Sequence, residues 1–169
     1  KVNNTPSGII DFKRGMTSLG FKAASLSRGY NSVVLGALAL QKPNSGGNNI
    51  AIGYQTMFSN EKGDHNVGIG SGVLAANQNS EKNTAIGSLA GYKSTGNNNV
   101  FLGFQAGYFE TGSNKLHISN DASRAPLIYG DFESGRVGIN TTSLSSVFNI
   151  NGVNDNNSGL RFEKLNSNS

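Results

Sequence analysis

The sequence predicts an all-β chain: a rod of stacked coils that gives way to a small β-rich module. Three observations predict it. A short phrase recurs six times, its spacing is nearly constant, and its residues alternate as strand residues do. Met16-Thr-Ser-Leu-Gly20 is followed by Ser32-Val-Val-Leu-Gly36, Asn49-Ile-Ala-Ile-Gly53, Asn66-Val-Gly-Ile-Gly70, Asn83-Thr-Ala-Ile-Gly87 and Asn99-Val-Phe-Leu-Gly103. The closing glycines lie 16, 17, 17, 17 and 16 residues apart. A fixed period this short means one small unit stacked on the next.

Within each unit the residue before the glycine is Leu19, Leu35, Ile52, Ile69, Ile86 or Leu102. Two residues earlier stand Thr17, Val33, Ile50, Val67, Thr84 and Val100. A spacing of two puts both columns on one face of a strand, and β-branched residues suit a pleated, half-buried surface. The expectation is that these large aliphatics point into the rod, with Ile69 fully buried between Ile52 and Ile86. The intervening, mostly small column (Ser18, Val34, Ala51, Gly68, Ala85, Phe101) is then expected to face outward.

The glycines Gly20, Gly36, Gly53, Gly70, Gly87 and Gly103 turn the chain, where positive φ or close approach of layers is needed. Three residues on come Ala23, Ala39, Thr56, Val73, Ala90 and Ala106, expected to line the inside of a second short strand. Asn49, Asn66, Asn83 and Asn99 stand four before their glycine; their amides can bond along the stack or cap the preceding loop.

Past the last repeat, Lys115-Leu-His-Ile-Ser119 alternates as a half-exposed strand does. Residues 126–132 form a second strand opened by Pro126, Glu133-Ser-Gly135 a turn, and residues 136–140 and 147–151 two more strands. The predicted organisation is a connector over 1–15, six coils over 16–110, a strand module over 111–153 and a linker over 154–169. Gly159-Leu-Arg-Phe162 begins a further element.

Composition agrees with many tight turns. The chain has 24 Asn, 23 Gly and 21 Ser among 169 residues, with only 3 Pro. Disorder would not place Leu or Ile before Gly six times in register. There is no Cys, which excludes disulfides and thiolate metal sites. No apolar run approaches the ~20 residues that cross a bilayer, so no membrane insertion is expected. The chain opens at Lys1 and reads as a segment of something longer. The net charge of +4 is uneven: Lys1, Lys13, Arg14, Lys22, Arg28 and Lys42 face only Asp11 in the first 50 residues. Spread over 42 positions, these cations do not make a nucleic-acid face.

Signals that suggest chemistry have simpler explanations. Gly68-Ile-Gly-Ser-Gly72 follows a strand but opens no helix, so it is not a dinucleotide loop. His65 sits in a loop and His117 on the polar side of a strand, neither with a spaced partner for a metal. Asp64 and His65 lack a nucleophile elbow. Asp131 and Glu133 read as a solvated turn. A carbohydrate-active β-helix enzyme would need clustered carboxylates, whereas Glu61, Glu81 and Glu110 lie in different loop contexts. No enzyme activity and no cofactor are expected.

A coil of 16–17 residues encloses few large side chains, a thin core for a monomer. A second apolar surface against neighbouring copies is therefore expected, with Phe21, Tyr54, Tyr92, Phe101, Phe104 and Tyr108 as candidates. Binding is expected on the loops between coils, at Glu61, Asp64, His65, Gln78, Glu81 and Lys82, because the ladder columns are committed to packing.

The Asn-x-x-Ile-Gly coils resemble the head repeats of YadA-like trimeric autotransporter adhesins, over about residues 16–108. The closest phrases are Ser32-Val-Val-Leu-Gly36 and Asn83-Thr-Ala-Ile-Gly87; the period here is longer than that family's. The stretch from Asn114-Lys-Leu-His-Ile118 to Arg136-Val-Gly-Ile-Asn-Thr-Thr-Ser143, and Ser158-Gly-Leu-Arg-Phe162, resemble trimeric fibre proteins of Bacteroidetes and their phages. The resemblance implies a left-handed parallel β-roll, an obligate homotrimer and an extracellular, cell-surface or virion-tail location. The function it implies is attachment to a surface glycan or protein receptor, as an adhesin or as a phage or contractile-injection tail fibre.

Overall fold

The computed structural model describes residues 8–151, which form one continuous sheet and no helix. The predicted linker over 154–169, and the first seven residues of the connector, lie outside them. Within the expected connector, β1 (Gly8–Asp11) pairs antiparallel with β2 (Met16–Leu19). Arg14 Nε donates to Asp11 Oδ2 at 2.8 Å and Arg14 Nη1 to Ser27 O at 2.9 Å, tying this hairpin to the first coil.

The repeats give β3 (Val33–Leu35), β4 (Ile50–Ile52), β5 (Val67–Ile69), β6 (Thr84–Ile86) and β7 (Val100–Leu102). From β2 to β7 each strand lies parallel to the next with its repeat positions in register. The result is a β-solenoid of about six turns. β8 (Lys115–Ile118) adds to it in parallel, β9 (Ile128–Asp131) and β10 (Arg136–Ile139) continue antiparallel, and β11 (Phe148–Ile150) pairs parallel with β10. The predicted downstream strands therefore extend the same sheet. The Lys115–Asp131 ion pair, at 3.1 Å, clamps β8 to β9.

The faces of the strands are the reverse of the expectation. The small column is the inward one: Ser18, Val34, Ala51, Gly68, Ala85 and Phe101 are all buried. Leu19, Ile69, Ile86 and Leu102 are exposed on the other face, and Leu35 and Ile52 half-buried. Thr17, Val33 and Ile50 are exposed, and Val67, Thr84 and Val100 half-buried. Ile69 is 38% exposed rather than fully buried. Phe101, expected as a surface contact, is 0% exposed inside the roll.

The physical reason is volume. Each coil has one strand, not two; the segment after the glycine is a run of turns. Lys22, Leu38 and Gln55 adopt left-handed φ of 54–59°, and Ala24, Leu40 and Met57 follow two residues later at 47–52°; Gly72 with Leu74 and Leu89 with Gly91 repeat the pair in the next coils. Such residues bend the chain where a strand would stay extended. The bends turn Leu40, Met57 and Leu74 into the core beside the Ala23, Ala39, Thr56, Val73, Ala90 and Ala106 column, which is buried as expected. Little room then remains for the strand residue opposite. A Cβ on Gly68 would lie 2.9 Å from Thr56 Cγ2 and 3.0 Å from Met57 Cε. Where Phe101 fills the core, the turn position holds Gly91, whose added Cβ would meet that ring at 2.6 Å.

The corner glycines need both freedoms. Gly70 has φ of 132°, and a Cβ there would come within 2.8 Å of the Gly87 carbonyl carbon in the next layer.

The asparagine amides do both things the sequence left open. Asn66 Oδ1 accepts the Asn83 N–H at 3.0 Å, and Asn83 Oδ1 accepts the Asn99 N–H at 2.9 Å. Each Nδ2 caps a loop: Asn66 donates to Ser80 O at 2.9 Å and Asn83 to Gly96 O at 3.0 Å. Ser32 Oγ starts the ladder by accepting the Asn49 N–H at 3.1 Å. Buried groups left unpaired cost about 1–3 kcal/mol each. Asn83→Ala strands the Asn99 N–H and the Gly96 carbonyl, so it should lower stability by about 2–4 kcal/mol in thermal or urea unfolding.

Candidate functional site

Loops 60–65 and 77–82 occupy neighbouring layers along one edge of the solenoid. The Glu61 and Lys62 N–H groups donate to Gln78 O at 2.7 and 3.1 Å, and the Lys82 N–H donates to Asp64 O at 3.0 Å. Glu61, His65, Gln78 and Lys82 are exposed; Asp64 and Glu81 are half-buried. Part of this set is structural. His65 and Lys82 occupy a left-handed position, both at φ 58°, that leads into each strand. Asp64 Oδ1 accepts the Gly47 N–H, and the Glu81 N–H donates to Asn97 Oδ1 at 2.9 Å. A groove of about 520 Å³ runs beside loop 77–82, lined by Ala76, Gln78, Asn79, Ser80, Thr95 and Asn97. Its lining offers amides and hydroxyls, which suit hydrogen bonding to a polar surface and supply no acid–base pair.

The apolar face is the larger feature. Pairing partners in a sheet share a face, so the outer columns extend beyond the repeats. Val100 and Leu102 adjoin Leu116 and Ile118; these adjoin Gly130 and Ile128, then Val137 and Ile139, then Phe148 and Ile150. At the other end Ile10 pairs with Thr17. Eleven strands at ~4.8 Å make a mostly apolar strip roughly 48 Å long and up to two side chains wide, with Thr17 and Thr84 among the outer residues and glycine at Gly8 and Gly130. Phe21, Tyr54 and Phe104, each about half exposed, sit just past the corner glycines beside it.

One polar pair could not be read from the sequence. His117 lies on the inner face of β8, buried, and its Nε2 donates to Glu110 Oε2 at 2.8 Å. Its expected place on the polar side of a strand is thus corrected: where the coils end, the inner face becomes polar. An ionised carboxylate only accepts, so Nε2 carries the proton. Glu110 Oε1 accepts the Gly112 N–H at 2.7 Å. The His117 bond, then the Gly112 N–H, hold the Glu110 carboxyl below its ordinary range. The folded state therefore binds this proton less readily than the unfolded chain. The resulting stability is complete above the unfolded carboxyl pKa, near 4.5, and is lost as pH falls through the lower folded value. Glu110→Gln should be about 1–2 kcal/mol less stable than the parent at pH 7 in urea unfolding, with the gap closing at acid pH.

No group of three or more metal-ligating side chains occurs among the described residues, and none of their helices could cross a membrane, there being no helix. Comparison with protein-family models, curated proteins and solved structures found no match to the chain.

Proposed function

We propose that the chain is a non-enzymatic module of a homotrimeric surface fibre, attaching to a glycan or protein on a cell surface or in the extracellular medium. The observation that carries this is the apolar strip. Monomeric soluble proteins rarely leave such a contiguous patch in water. A flat face two side chains wide suits the meeting of three rods around an axis, and the resemblance of the repeats to trimeric adhesin heads gives the number three. In the trimer the left-handed rolls would stand side by side, with the strips inward and the loop edges outward. The same assembly could serve a phage or contractile-injection tail fibre, the reading that the likeness of residues 114–143 favours. An extracellular, cell-surface or virion location belongs to both.

Three copies of the loop edge would gain strength through multivalency. Shuffling the exposed Glu61, Lys62, Gln78 and Asn79 among one another, with Asp64, His65, Ser80 and Lys82 kept in place for their structural roles, tests the edge. The shuffled protein should keep its mass and melting temperature and lose attachment on a glycan array or to whole cells. Unchanged attachment would refute the loop-edge site and leave this segment a spacer.

A further inference from the structure

The inner face of the sheet ends in a cavity. Ala85, Phe101 and His117 pair in register down the inside of β6, β7 and β8, and Tyr129 follows on β9. Up to β7, the turn segment of each coil covers the inner residue. After Ile118 the chain instead leaves through residues 119–127 and returns as β9, so the face carrying His117 and Tyr129 is walled but not filled. The space left is about 490 Å³, within the range of small-molecule sites.

Its walls combine three kinds of group. Tyr108 and Phe109 meet edge to face at 4.6 Å, and Tyr129 stands edge-on to His117 at 5.0 Å, so aromatic surface lines the cavity. Thr111, Thr142 and Tyr129 bring hydroxyls that have no partner among the described residues. Arg124, exposed at the rim, forms no ion pair among the described residues. The one acid in the wall, Glu110, is already engaged by His117 and the Gly112 N–H.

From this set we infer that the cavity binds a sugar ring bearing a carboxylate. Aromatic surface covers the apolar C–H face of a pyranose. The hydroxyls exchange hydrogen bonds with those of the ring, and a guanidinium is the side chain best shaped to grip a carboxylate. His117 alternates along β8 with Leu116 and Ile118, so the cavity opens on the side of the sheet opposite the apolar strip. It is built from one chain and does not rest on the trimer proposed above.

Calorimetric titration of the intact chain with methyl β-D-glucuronide, methyl β-D-glucoside and sodium acetate tests this. The glucuronide should bind at one site per chain, about tenfold or more tighter than either control. Arg124→Gln should weaken it by about tenfold at unchanged melting temperature, and Tyr129→Phe should weaken it less. The loop-shuffled protein should bind it as the parent does. Acetate binding as tightly would show a bare anion contact and overturn the proposal. So would equal binding of the glucoside, no saturable heat at millimolar glucuronide, or binding that Arg124→Gln leaves intact.

Discussion

Phe101→Ala should destabilise the solenoid by about 3–5 kcal/mol, the usual cost of deleting a buried aromatic ring. Phe101 is the largest fully buried side chain, and it fills the last complete coil. Gly91 and Gly107 stand on either side of the ring at the turn position that earlier coils fill with Leu40, Met57 and Leu74. Deleting the ring leaves a cavity that rigid stacked layers cannot close. The melting temperature should fall by roughly 10 °C. Phe101→Ala combined with Gly107→Leu should recover part of the loss, because it recreates the small-strand, large-turn pairing of Ala51 with Met57. Contacting residues couple in this way, and distant ones do not. A Phe101→Ala protein that melts like the parent would overturn the inward assignment of this column.

Ile69→Asp with Ile86→Asp should abolish assembly and leave the coil itself folded. Both side chains are already more than a third exposed in the single chain, so the charges remain in water there. Packed against other copies they would be desolvated without a partner, at several kcal/mol each. The mass should drop to that of one chain while the far-ultraviolet spectrum stays that of a β protein. Loss of the β spectrum would place the strip in the chain's own core. An unchanged oligomer would place the interface on another face.

Much of the fold was legible in the sequence. The period, the six repeat strands, the corner glycines and the buried column of Ala23, Ala39 and Ala90 were all readable, because each depends on local chemistry repeated at fixed spacing. The direction of the strands' faces was not. Alternation shows that Ile52 and Ala51 point opposite ways, and equating the larger side chain with the interior chose the wrong one. The interior of so narrow a coil is filled from the turn segment, whose left-handed residues at Leu38, Leu40, Gln55 and Met57 carry no glycine to announce them. A usable signal was present in the complementary sizes: Gly68 opposite Met57, and Gly91 and Gly107 around Phe101. β1 was missed because four residues, Gly8–Asp11, show too little alternation to stand out. The proximity of loops 60–65 and 77–82 followed from the period alone. The Glu110–His117 pair did not, since it joins a loop to a strand beyond the repeats, and the cavity beside it arises only where the coils stop.

Light scattering on the intact chain at micromolar concentration tests the central claim, that the apolar strip is covered by two further copies. The predicted mass is that of three chains of 17.7 kDa each. A folded, stable species with the mass of a single chain would contradict it.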